Sequence, residues 1–150
     1  MPFIKFSDDN TMSKIKIMIF TEGTVLKPKN NFGLFNFSSY VPIDDCVSKI
    51  QSWQQEGAEI VYCTSRNSKR QVNQIVSLLK NYHFAGTKLY YREPKQKYSD
   101  IIEIVMPDIL IEDDCKSIGG QWQMCITYNT EIKGEDKDTI VASIAERDKK

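Results

Sequence analysis

Short apolar runs and amphipathic stripes alternate along this chain. Ile15–Phe20 (IKIMIF) is a strand-length apolar run that follows a polar leader ending near Lys14. Val47, Ile50 and Trp53 then recur at helical spacing, with Asp44 placed to cap the helix and Gly57 to stop it. Ala58–Cys63 (AEIVYC) predicts a second strand. The next stripe, Val72, Ile75, Val76 and Leu79, has the i, i+3, i+4, i+7 spacing of a helix with one buried face. Lys88–Tyr91 predicts a third strand, and Tyr98, Ile101, Ile102 and Val105 a third helix that Pro107 ends. Asp108–Glu112 and Met124–Tyr128 predict two more strands, and Ile140, Val141, Ile144 and Ala145 a last helix.

Strands that read as continuous apolar runs, each followed by a helix, predict an α/β fold with a parallel five-stranded sheet and helices on both faces. Right-handed crossovers gather the strand C-terminal ends along one edge, where open α/β sheets bind ligands. Three polar clusters fall at such ends: Thr21-Glu22-Gly23-Thr24, Thr64-Ser65-Arg66 and Asp113-Asp114. They converge only if the Ile15 strand is central and flanked by the Ala58 and Asp108 strands.

Composition narrows the function classes. The chain's 150 residues suit one domain with a sizeable core, with residues 1–13 expected as a polar arm. Twenty basic residues balance twenty acidic ones, so no global field favours nucleic acid or an anionic membrane, and no clear nucleic-acid patch is expected. No apolar run approaches membrane-span length, and acidic residues interrupt the start where a signal peptide needs an apolar core. The four cysteines form no CxxC pair and have no histidine cluster beside them, so a reducing cytoplasm is the expected location. His83, the single histidine, is expected in a loop.

The first polar cluster has the shape of a phosphate-handling turn with its attacking group replaced. In order, the chain offers an apolar strand with acid-Gly-Thr, a strand with Thr-Ser, a basic segment, and a strand with paired aspartates. From about Lys14 to about Tyr128 this order resembles the haloacid dehalogenase-like (HAD) superfamily of phosphatases. The resemblance implies a three-layer Rossmann-like fold, an aspartate that attacks phosphorus, and Mg²⁺ to neutralise the transferring group. The family's first motif is Asp-x-Asp-Gly-Thr. Here Gly23 and Thr24 match, Glu22 replaces the second aspartate, and Phe20 replaces the first.

Glu22 retains a carboxylate for acid/base work, whereas Phe20 has no lone pair to attack phosphorus or ligate a metal. By the resemblance, Thr24, Thr64 and Ser65 are phosphate donors, with a helix cap as the competing role for the Ser65–Ser68 stretch. Lys95 and Lys97 stand nearest the family's lysine position, and Arg92 is an open alternative for the cation facing the site. Asp113 and Asp114 are the expected Mg²⁺ ligands, one directly and one through water, or with one of them holding the basic residue instead, and the expected affinity is millimolar or none. Cys115, beside them, is not expected to be nucleophilic.

Neither gap between motifs is long enough for a cap domain. Only residues 25–40 intervene after the first motif, with Phe32, Phe35 and Phe37 suggesting a small apolar flap that docks on the core or meets a partner. Three functions follow. The favoured one is a phospho-ligand-binding module without a nucleophile, its ligand a phosphorylated small molecule or macromolecule. The alternatives are a phosphohydrolase using Glu22 or a metal-activated water, and a protein-interaction domain working through the flap or a homo-oligomer contact.

Overall fold

The computed structural model describes residues 3–7, 15–29, 37–111 and 125–126. Ten named elements build the site's scaffold: strands β1 (Phe3–Lys5), β2 (Ile15–Phe20), β3 (Leu26–Lys27), β4 (Val41–Pro42), β5 (Ala58–Cys63), β6 (Lys88–Tyr90) and β7 (Ile109–Ile111), and helices α1 (Cys46–Gln55), α2 (Lys69–Asn81) and α3 (Tyr98–Val105). A further strand, β8 (Cys125–Ile126), lies beside β7.

The main sheet runs β1-β6-β5-β2-β7-β8. From β6 to β8 every pairing is parallel, and β2 is flanked by β5 and β7 as the convergence of the polar clusters requires. The sheet as a whole is mixed, which corrects the all-parallel expectation. Within the stretch expected as a polar arm, Phe3–Lys5 adds an antiparallel strand to β6. Two side-chain contacts hold that edge: the Phe3 ring lies 5.4 Å from Tyr90's, and the Lys88 ammonium sits 5.1 Å from the Phe3 centroid. Ile4 packs on the core from the other face.

Strand alternation divides the core in two. Ile17, Ile19, Ile60, Tyr62, Ile109 and Ile111 face α1 and α2, while Met18, Phe20, Val61, Cys63 and Leu110 face α3. All four apolar positions of the α2 stripe are buried. Helix α1 buries Ile50 and Trp53 as expected, but its cap is Asp45, with no side-chain cap bond, and Asp44 adopts φ 48° just before it. Gly57, past the helix end at φ 106°, supplies a left-handed conformation that a side chain would strain. The flap's base is a two-stranded ribbon, β3 against β4, while Phe32 and Phe35 lie outside the described residues. The predicted helix at 140–145 also lies outside them. No helix among the described residues is long and apolar enough to cross a membrane. His83 is exposed in the turn after α2, and its carbonyl accepts from Gln51 Nε2 at 2.8 Å.

Cys46 and Cys63 are both buried. Burial pushes the Cys46 thiol above its ordinary 9.0 to about 11, against an opposing hydrogen bond from the Ile43 backbone. An acid whose folded pKa is raised costs nothing below its unfolded value, and stability falls as pH climbs from there through the folded value. Between pH 8 and pH 11 the wild type should therefore lose roughly 2–3 kcal/mol more than Cys46→Ala does. Urea midpoints of both proteins at the two pH values check this; equal losses would contradict it.

Candidate anion site at the strand C-terminal edge

The site follows from the β2–β5 register. Phe20 pairs with Cys63, so the next residues, Thr21 and Thr64, leave the sheet side by side. The Thr21 N–H donates to Cys63 O at 3.0 Å, and the Thr64 N–H to Tyr90 O at 3.0 Å, which extends the pairing one residue beyond each strand. The chain then turns sharply after β2. Thr21 O accepts from the Val25 and Leu26 N–H groups, each at 3.0 Å, and Gly23 takes φ 83°, a conformation that favours glycine. This turn swings Glu22 across to the end of β5.

There the Glu22 carboxylate accepts four hydrogen bonds from the described residues. Oε1 receives the Thr21 hydroxyl at 2.6 Å and the Thr64 hydroxyl at 2.5 Å. Oε2 receives the Ser65 N–H at 3.0 Å and the Ser65 hydroxyl at 2.6 Å. Thr64 Oγ1 in turn accepts from the Arg66 N–H at 3.1 Å. Three hydroxyls and one amide thus converge on a single anionic group, an arrangement suited to oxyanion binding. Helix α2 is capped separately, by Ser68 Oγ accepting from Gln71 N, so capping does not compete for Thr64 or Ser65.

Two tyrosines lie near the cluster. Tyr98, at the start of α3, meets Phe20 edge-on at 5.3 Å and lies 4.3 Å beneath the Arg92 guanidinium. Burial raises the Tyr98 pKa and nearby Arg92 opposes that shift, with Cys63 and Glu22 adding to it. Burial likewise raises the pKa of Tyr40, which lies within electrostatic reach of Arg66 and Glu22; the arginine lowers it and the glutamate raises it. Sequence reasoning passed over both tyrosines. Tyr98 read as a plain member of a helical stripe, and Tyr40 as the end of the flap.

The other expected residues are distributed unevenly. Phe20, the last residue of β2, is 5% exposed and packed into the α3-side core. Thr24 is buried, and its hydroxyl has no hydrogen-bond partner among the described residues. Lys95 and Lys97 are both exposed, Lys95 in a turn at φ 69° and Lys97 as the residue preceding α3. The Lys97 N–H donates to Asp100 Oδ2 at 2.9 Å; an ammonium group cannot accept, so this cap works in one direction only.

Asp113 and Asp114 lie outside the described residues, as do Glu112 and Cys115. Among the described residues no group of three or more His, Cys, Asp and Glu side chains comes together, and Phe20 offers no oxygen. An open cleft of about 620 Å³, lined by Gln51, Gln54, Lys80 and Phe84 among others, includes none of the Glu22 cluster.

No known family profile and no curated protein matches the chain. Its fold is similar to that of chains in two solved assemblies. One is a Pnkp1/Rnl/Hen1 complex, with TM-score 0.62 and 13% identity over 81% of this chain and 48% of that one. The other is a Pnkp1/Rnl/Hen1 RNA repair complex, with TM-score 0.58 and 12% identity over 83% and 45%. The chain thus spans about half the length of the solved chains it matches.

Proposed function

We propose that this chain is a HAD-like phospho-ligand-binding module whose attacking carboxylate is gone and whose anion-binding edge remains. The observation that carries this reading is the donor set at the end of β5: the Thr64 hydroxyl, the Ser65 hydroxyl and the Ser65 N–H, all aimed at one anionic group. Phe20 fills the attacking position with a packed ring, so nothing there can form a covalent phospho-intermediate. Losing the nucleophile removes transition-state stabilisation worth several orders of magnitude, while donors that recognise a ground-state anion are unaffected. Because chains of similar fold belong to an RNA repair complex, a phosphorylated RNA end is the macromolecular ligand to test first.

Calorimetry with phenyl phosphate, paired with a turnover assay on p-nitrophenyl phosphate with and without Mg²⁺, tests the reading. It predicts saturable binding in the millimolar range and no hydrolysis above the protein-free control. Turnover would favour the phosphohydrolase reading, with Glu22 as acid/base. Neither binding nor turnover would leave the interaction domain.

A further inference from the structure

The donors proposed to hold a ligand are already engaged by the protein's own carboxylate. We infer that Glu22 is the resident occupant of the anion site, and that it selects dianionic phosphomonoesters by making every ligand displace it. This inference rests on the reading of the edge as a phosphate site.

The Glu22 carboxylate takes both Ser65 donors and the Thr64 hydroxyl, so an incoming anion cannot use them until Glu22 leaves. Glu22 is tethered at very high effective concentration beside its donors. A ligand of one negative charge, whether a carboxylate or a phosphodiester, offers those donors nothing that Glu22 does not already supply. A phosphomonoester carries close to two charges and three strong acceptor oxygens, so it can outcompete the tethered monoanion. The arginines near the cluster add to that difference, with Arg92 at Tyr98 and Arg66 next to Ser65.

Departure of the carboxylate is structurally inexpensive. Glu22 is only half-buried, and it sits between Thr21 and Gly23 in a turn held by backbone bonds that do not involve its side chain. The Thr21 hydroxyl has a second acceptor waiting, the Cys63 carbonyl at 3.5 Å, so it is not stranded when Glu22 moves away. Thr64 and Ser65 pass their hydrogens directly to the incoming oxygens. The exchange swaps one set of charge-assisted hydrogen bonds for another.

Titrating the full chain with phenyl phosphate, dimethyl phosphate and acetate tests this, using wild type, Glu22→Ala and Glu22→Gln. Wild type should bind phenyl phosphate and discriminate against the two monoanions. Glu22→Ala should bind phenyl phosphate about tenfold tighter or more, as expected for removing a competitor with charge-assisted bonds, and should now accept dimethyl phosphate. If wild type binds phenyl phosphate and both variants bind it equally or more weakly, Glu22 is part of the binding surface; the inference fails and the phosphate site stands. If no folded variant binds any phosphate, the underlying reading fails and takes the inference with it. Should the variants not fold, the carboxyl ¹³C resonance of Glu22 in wild type decides. It must shift on saturation with phenyl phosphate, and a stationary resonance overturns displacement.

Discussion

Phe20→Asp is expected to leave the chain unfolded or without fixed tertiary packing at 25 °C, while Phe20→Leu stays folded. Phe20 ends the central strand, is 5% exposed, and packs edge-on against Tyr98. Removing a buried phenyl ring costs about 3–5 kcal/mol. A carboxylate left there without a cation would cost several more, in a sheet edge that already holds Glu22. Total stabilities of domains this size are about 5–15 kcal/mol, so the sum consumes most or all of it. Near-ultraviolet circular dichroism and a thermal melt check the result. A Phe20→Asp protein melting within a few degrees of wild type would mean the position tolerates an acid. If Mg²⁺ then raised that melting temperature, the introduced carboxylate would be acting as a ligand.

Gly86→Ala should be strongly destabilising for the addition of a single methyl group. Gly86 adopts φ +140°, and a Cβ there would lie 2.6 Å from Tyr62 Cε2 and 3.1 Å from the Ile60 carbonyl. Neither neighbour can yield easily. The Tyr62 ring is completely buried, meets Phe84 edge-on at 6.1 Å, and its hydroxyl donates to the Ala85 carbonyl at 2.5 Å. Ile60 O is already engaged by the Thr87 N–H at 3.1 Å. Overpacking of about 1–3 kcal/mol and backbone strain of about 1–3 kcal/mol add at this one residue. The urea midpoint should fall accordingly, and Gly57→Ala, where nothing lies within 4 Å, should cost less because only strain applies. Equal costs at the two glycines would contradict this. So would a Gly86→Ala protein as stable as wild type.

How much of this was legible in the sequence depended on periodicity and length. Helix α2 was readable because four apolar residues at regular spacing leave one solution for its buried face. Strands β2 and β5 were readable because six-residue apolar runs between polar turns suit a sheet covered on both sides. Strand β1 was not, since three residues have no period, and their pairing with β6 depends on an edge that exists only in the folded sheet. The α1 cap was displaced by one residue because two adjacent aspartates offer the same chemistry.

At the site, Thr64 and Ser65 were legible from their position at a strand end. Their engagement by Glu22 was not, because it depends on the Phe20–Cys63 register and on the turn at Gly23, both set by tertiary pairing. Where the individual basic side chains lie was unreadable for a similar reason. A turn closed by Gln96 N to Glu93 O carries Lys95 outward, while Arg92, nearer the strand, lies over Tyr98.

A ¹⁵N-resolved NMR titration of the wild-type chain with phenyl phosphate tests the anion site most directly, because among the described residues the Ser65 amide is the one backbone donor aimed at the bound carboxylate. The predicted result is that the Ser65 and Arg66 amides shift together along one saturable curve, while Gln55 and Lys80, in the distant cleft, stay fixed. If Ser65 does not move up to roughly 50 mM ligand, far above a millimolar Kd, the strand edge is not a phosphate site.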